Sequence, residues 1–264
     1  MSRGGGMSVQ LAELMPERTI AAVPVCLEVG PESDAGRRVP MITVFGEKDG
    51  SQMQKLLDKF PTGRKQDARW AIAVQWNRKH EFGQANNLSF VFFDDVIARR
   101  VPKDAPTDKP VKLAEVPLMD GWLGDIGTWG KDGKLAIVAS WNEFGGERDN
   151  ACWFPTGRTA AVWKAFVGAT KDVTISEPAG LGDGRTFVPR SAMEPVSVKV
   201  GLASALNPEA VELWDGDMRL AEKKQGPWAF EVTLKPGIHS LYVVVRQAGR
   251  ELLTSRPHTL VVSE

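Results

Sequence analysis

Three side chains stand at loop ends in the order serine, aspartate, histidine: Ser2 ahead of a helix, Asp49 after one apolar run and His80 after the next. A serine hydroxyl is a poor nucleophile until an imidazole takes its proton. A carboxylate holds that imidazole in the productive tautomer and stabilises its cation. Ser, Asp, His is the chain order of one known layout of this kind.

Each member needs an element to carry it. His80 lies just beyond Trp70, Ile72, Val74 and Trp76, with Ala71 and Ala73 between them, a pattern that predicts a strand buried on both faces. Asn77 to Lys79 break that run, so the imidazole lies at the carboxyl edge of a sheet, where open α/β folds keep their chemistry. Met41 to Phe45 predicts a second strand, stopped at Gly46, and the turn Glu47-Lys48-Asp49-Gly50 leaves Asp49 at its carboxyl end. Met7, Leu11, Leu14 and Met15 share a helical face closed by Pro16, and Ser2, Arg3 and Gly4 to Gly6 read as a tight, close-packed entry into that helix.

Between these pieces the pattern predicts a short strand over Thr19 to Val25 and a polar loop over Pro31 to Arg38. A helix follows over Ser51 to Phe60, ended by Pro61-Thr62-Gly63, and another places Leu88, Val91, Phe92 and Val96 on one face. Helix, strand, helix, strand, helix is the order of a parallel α/β sheet with crossovers.

From Pro102 to about Ala169 the pattern weakens. Trp122, Trp129, Trp141 and Trp153 cluster there, with a short strand expected over Leu135 to Ala139 and a helix over Thr159 to Val167. After Lys171 the period becomes two, through Val196, Val198, Val200, Val211, Leu213, Phe230, Val232, Leu234, Leu241, Val243 and Val245. Turn pairs at Asn207-Pro208, Asp215-Gly216, Gly226-Pro227, Pro236-Gly237 and Ala248-Gly249 space these runs as in a small β-sandwich. The expected division is residues 1–104 for the α/β part, 105–170 for a Trp-rich appendage and 171–264 for the sandwich.

Composition narrows the partners. Lysines plus arginines equal acids at 33 each, so no global field favours nucleic acid or an anionic membrane. No apolar stretch approaches the roughly 20 residues that span a bilayer, and the N-terminus lacks a signal-peptide layout. Cys26 and Cys152 offer no metal spacing and no disulfide framework, and Cys26 reads as a buried free thiol, with a long-range bridge as the other possibility.

Residues 1–104 resemble the last portion of an α/β-hydrolase, close to the esterases and the polyhydroxyalkanoate or feruloyl ester depolymerases. The resembling pieces are Ser2-Arg3-Gly4 with its Gly-rich helix start, Phe45-Gly46-Glu47-Lys48-Asp49-Gly50 and His80-Glu81-Phe82-Gly83. Met1-Ser2-Arg3-Gly4 matches the last four positions of the Gly-x-Ser-x-Gly elbow. The resemblance implies that the strand before Ser2 and one oxyanion donor precede residue 1, so that 1–104 alone would pack loosely while 171–264 would fold independently. It further implies Ser2 as nucleophile, His80 as base, Asp49 as its partner and the Arg3 backbone N–H as the other oxyanion donor. A carboxylic ester, monomeric or polymeric, is the substrate the resemblance implies, with no cofactor or metal and a periplasmic or extracellular site. The sandwich resembles immunoglobulin-like or fibronectin-like modules of secreted bacterial enzymes, through Val211 to Gly216 and Lys235 to Leu241.

Competing residues are weaker on position. Ser8 has Gln10 where the elbow needs glycine, Asp34 has no strand before it, and Asp94 and Asp95 ride on a helix. Asp125, Glu143 and Glu147 could serve as paired carboxylates for glycoside chemistry, but nothing in the sequence sets their separation. His239 and His258 fall in strand patterns and are expected to face outward. Two further functions fit the same residues: a serine peptidase on the same sheet, or a non-catalytic accessory protein that binds through its sandwich.

Overall fold

The computed structural model describes residues 1–27, 30–130, 135–178, 185–188, 195–248 and 252–263, with the side chains of 51, 52 and 185–188 left aside. The fold is mixed. It divides into two compact units, one of Met1–Ala85, Phe92–Gly127 and Val138–Ala160, the other of Asn86–Val91, Thr128–Ile137 and Ala161–Glu264.

In the first unit, α1 (Arg3–Leu14) and the single turn α2 (Asp34–Arg37) precede β1 (Met41–Gly46), α3 (Ser51–Lys65) and β2 (Trp70–Gln75). β1 and β2 pair in parallel from Met41↔Trp70 to Gly46↔Gln75, with α3 as the crossover. Both strands are buried almost throughout, which is why they read as continuous apolar runs rather than as alternation.

The stretch expected as a strand over Thr19 to Val25 forms isolated parallel bridges to β1 instead, Ala22↔Met41 and Val25↔Val44. The Ala22 N–H donates to Pro40, the Ile42 and Val44 N–H groups donate to Ala22 and Pro24, and the Cys26 N–H donates to Val44. Pro24 occupies the ladder position between those donors and has no N–H to give, so the pairing is interrupted there.

Two local expectations are corrected. The span expected as a loop at Pro31 to Arg38 holds α2, capped by the Ser33 hydroxyl, which accepts from the Gly36 N–H at 3.1 Å. Pro61-Thr62-Gly63 does not end its helix, for α3 runs through to Lys65. Gly63 is there for packing: a Cβ would overlap the ring of Trp70, the first residue of β2.

The helix expected over Leu88 to Ile97 is α4 (Asn86–Arg100). Within the Trp-rich stretch lies an antiparallel sheet of β3 (Trp122–Asp125), β4 (Val138–Ser140) and β5 (Ala151–Phe154), in the order β4-β3-β5. Trp153 is fully buried, with its indole N–H donating to the Leu118 carbonyl at 2.9 Å. Trp141 lies under the Arg148 guanidinium at 4.8 Å. Cys152, also buried, sets its sulfur 3.2 Å from the Ile72 amide nitrogen on β2. Both cysteines are free thiols.

The second unit carries the sandwich. After α5 (Gly157–Gly168) come β6 (Val173–Glu177), β7 (Arg185–Val188), β8 (Val196–Leu202), β9 (Pro208–Asp215), β10 (Met218–Lys223), β11 (Ala229–Val232), β12 (Gly237–Gln247), β13 (Leu253–Thr254) and β14 (His258–Val262). One sheet runs β10-β9-β12-β14-β7 with β13 beside β12, and the other runs β11-β8-β6. Val173, Val198, Phe230 and Val232 from the smaller sheet share a core with Val211, Leu213, Leu241, Val243, Val245 and Leu260 from the larger. On the other face of the larger sheet, Trp214, Tyr242 and Val244 pack with Ala165 of α5. The turn expected at Ala248-Gly249 reaches Gly249, outside the described residues. No helix among the described residues is long and apolar enough to cross a membrane.

Neither sandwich histidine faces outward. His258, the first residue of β14 and opposite Leu241 of β12, is only 8% exposed. His239 bridges instead, with Nδ1 2.6 Å from Asp215 Oδ2 and Nε2 2.7 Å from the Lys235 carbonyl oxygen.

Candidate active site

The site is assembled at the carboxyl ends of three neighbouring parallel segments: the 22–26 stretch, β1 and β2. Adjacent parallel strands bring their carboxyl-end loops to one edge, and these loops carry Cys26, Asp49 and His80.

Asp49 is positioned by a tight turn in which its N–H donates to the Gly46 carbonyl at 3.0 Å, with Gly50 at φ 61 opening α3 behind it. The His80 loop is laid directly over the end of β1. A Cβ on Gly46 would overlap the carbonyl oxygens of Arg78 and Lys79, so only glycine allows that approach. The Lys48 N–H donates to the Arg78 carbonyl at 2.7 Å, and the Glu47 carboxylate accepts from the Asn77 N–H at 2.8 Å. On the far side of the loop, the buried Gln75 amide accepts from the Gln84 N–H at 2.8 Å and donates to the Phe82 carbonyl at 3.2 Å.

These supports bring His80 Nδ1 within 2.7 Å of Asp49 Oδ1. The Asp49 side chain is only 4% exposed and that of His80 is 42% exposed, so a buried carboxylate anchors a ring that is open to solvent. A carboxylate that accepts from this ring needs the proton on Nδ1, the tautomer in which Nε2 carries the lone pair. Asp49 Oδ2 is buried outside normal hydrogen-bond geometry, and the Cys26 thiol faces this carboxylate.

Ser2 sits at the N-cap of α1 with φ 53 and ψ −123, a backbone conformation that costs an L-residue about 1–3 kcal/mol. Two contacts hold it there. The Ser2 N–H donates to the Val25 carbonyl at 2.7 Å, and Gly5, one turn on, lets the helix lie on Val25, where a Cβ would be 3.3 Å from both Val25 N and O. The serine is thereby tied to the residue next to Cys26. Ser2 Oγ forms no hydrogen bond with His80, and the Arg3 N–H, at the head of α1, takes no partner among the described hydrogen bonds. Ser8, the competing serine, bonds the Gly5 carbonyl at 2.7 Å inside the helix.

Cys26 is the neighbour that sequence reasoning left out. Its backbone is at φ 56, its thiol donates to the Glu81 carbonyl at 3.4 Å, and its sulfur lies within 4.8 Å of ligand atoms of Asp49 and His80. Burial, together with the facing Asp49 carboxylate, pushes the thiol up to about 11. The available signal was topological: Cys26 ends a segment that runs parallel to β1.

The remaining candidates are committed elsewhere. Asp94 and Asp95 each lie within 2.8 Å of the Arg158 guanidinium, and Asp34 opens α2. Asp125 Oδ1 accepts from the Gly127 N–H, Glu143 from the Ser140 hydroxyl and Glu147 from the Asn150 amide.

No family model matches the chain, and no curated protein matches it. Among solved structures, the fibronectin(III)-like modules of Clostridium thermocellum CbhA align with 34% of this chain and 94% of their own, at 22% identity and a TM-score of 0.29. The apo structure of Bacteroides uniformis beta-glucuronidase 3 aligns with 98% of this chain at 9% identity and a TM-score of 0.27. Parabacteroides merdae beta-glucuronidase aligns with 91% at 10% identity and a TM-score of 0.27. The chain spans 47% and 29% of those two enzymes. At such scores none of these likenesses assigns a function.

Proposed function

We propose that the chain is a serine hydrolase of the α/β-hydrolase type that cleaves carboxylic esters through an acyl-enzyme. The observation that carries this reading is the 2.7 Å contact of His80 Nδ1 with the buried Asp49, on an edge to which the strained Ser2 turn is also tied. Ser2 Oγ attacks the ester carbonyl as His80 Nε2 takes its proton, and Asp49 stabilises the imidazolium. The Arg3 N–H, aimed from the positive end of α1, helps hold the oxyanion. Collapse of the tetrahedral intermediate returns the proton to the leaving alcohol, and water releases the acyl group by the same path in reverse. For the sandwich we infer an immunoglobulin-like or fibronectin-like module that acts as a spacer, a reading supported by its two-sheet core.

The test is turnover of a short-chain p-nitrophenyl ester, with labelling by a fluorophosphonate probe read out by peptide mass spectrometry. Ester cleavage lost in Ser2→Ala and His80→Ala, with the label on Ser2, is the expected result. A label on another serine, or cleavage unchanged in both variants, rejects the assignment. Cleavage of peptide but not ester substrates keeps the nucleophile and changes the substrate class.

A further inference from the structure

We infer that Cys26, Asp49 and His80 form a binding site for one thiophilic divalent cation, Zn2+ above all, and that its occupancy switches off the histidine as a base. One ligand atom from each residue already lies within 4.8 Å of the others. The independent observation is Asp49 Oδ2, an oxygen of a side chain only 4% exposed, which is buried outside normal hydrogen-bond geometry with the Cys26 thiol facing its carboxylate. A buried carboxylate oxygen faced by a thiol and beside an imidazole nitrogen has the coordination capacity that a cation takes up.

Ligand chemistry selects the metal. Thiolate, imidazole and carboxylate together suit zinc, which binds three protein ligands and leaves a fourth position to water. Tetrahedral bonds of about 2.0–2.3 Å place ligand atoms roughly 3.5 Å apart. Atoms up to 4.8 Å apart therefore close by roughly 1.3 Å at most, while His80 Nδ1, 2.7 Å from Asp49 Oδ1, moves slightly away from it. The backbones behind it are already braced, with the Cys26 N–H on the Val44 carbonyl at 2.8 Å and the Asp49 N–H on the Gly46 carbonyl at 3.0 Å. The half-exposed ring of His80 is the way in.

The step balances without oxidation or reduction. The sulfur–metal bond forms as the thiol proton leaves to solvent. The ring proton moves from Nδ1 to Nε2, the Nδ1 lone pair binds the metal, and the imidazole stays neutral. A ring protonated at Nε2 has no lone pair left for the Ser2 hydroxyl. This last consequence rests on the proposed hydrolase role of His80, whereas the binding itself does not.

Titration of the whole chain with Co2+ tests the site. One ion per chain is expected, with a thiolate-to-cobalt charge-transfer absorption that Zn2+ abolishes by displacement. Cys26→Ala should remove that absorption. His80→Ala, at a half-exposed position and with folding checked by circular dichroism, should weaken binding more than about 100-fold, beyond what losing a supporting group costs. Lack of the thiolate absorption in the parent chain, or its survival in Cys26→Ala, overturns the site, as does unchanged affinity in His80→Ala. An ester assay on the same samples separates the two readings. Turnover that falls in step with Zn2+ occupancy supports the switch, and turnover indifferent to a filled site overturns it. A filled site in a chain with no turnover to inhibit leaves the cation site standing and rejects the hydrolase reading.

Discussion

His80 meets Asp49 through Nδ1, and the consequence of that choice is measurable at single residues. Asp49→Asn presents an amide N–H where only acceptors stood, which drives the ring proton to Nε2. Ester turnover is therefore expected to fall by about 10⁴-fold while the melting temperature holds, the wrong-tautomer signature. A variant that loses its fold along with its activity would instead make the carboxylate a structural group. The two thiols make a second prediction at this scale. Cys26 is raised to about 11 and Cys152, by burial, to about 12. At pH 8 that leaves roughly one Cys26 in a thousand as the nucleophilic thiolate. Iodoacetamide should therefore leave both unmodified in the native chain and modify both in urea, as counted by intact mass. Rapid native labelling of Cys26 would show that the thiol is neither buried nor faced by Asp49.

At the level of elements, the site depends on how closely the His80 loop lies against β1. Gly46→Ala forces the Arg78 and Lys79 carbonyls away, at an overpacking cost of about 1–3 kcal/mol. Displacement of the loop by as little as an ångström should lower turnover by about 100-fold, read as kcat beside a urea midpoint. An unaltered kcat would mean that His80 is held by something other than this strand end. In the sandwich, Glu212 of β9 is 1% exposed and accepts from Arg246 at 2.7 Å and from the Trp214 indole at 2.9 Å. Burial pushes its carboxyl up, but the Arg246 and Trp214 hydrogen bonds and the charges of Arg246 and Arg219 outweigh it, so the net shift is below the ordinary 4.5. A depressed carboxyl contributes stability that is present above its unfolded value and lost as pH falls through the folded one. Glu212→Gln should therefore cost about 1–3 kcal/mol at pH 7, with the gap to the parent chain narrowing below pH 4.5, by denaturant melts at both pH values. A gap that widens in acid would reverse the sign of the linkage.

For the molecule as a whole, charge balance decides solution behaviour. With 33 basic and 33 acidic residues and an isoelectric point near 6.9, the chain carries almost no net repulsion at neutral pH. Its solubility at low salt should pass through a minimum near pH 7 and rise on either side, measured as the polyethylene glycol concentration at half precipitation. A monotonic dependence would show that local patches rather than net charge govern association.

The sequence by itself determined what depends on neighbours along the chain. Apolar runs at 41–45 and 70–76 mark strands buried on both faces, and Asn77 to Lys79 mark where one ends. The two-residue period after Lys171 picks out the inward-facing valines and leucines of β8, β9, β11 and β12. In each case local pattern and tertiary burial agree, because the period of the side chains is set by the backbone itself. Tertiary structure alone decided the rest. Gly63 looked like a helix stop and is a cradle for Trp70, His258 looked exposed and is buried, and Pro24 turned a strand into bridges. Cys26, Asp49 and His80 lie 23 and 31 residues apart along the chain. They come within 4.8 Å of one another only because three parallel segments end at one edge. Spacing in sequence carries no record of which strand ends are neighbours in a sheet, and that adjacency assembled the site.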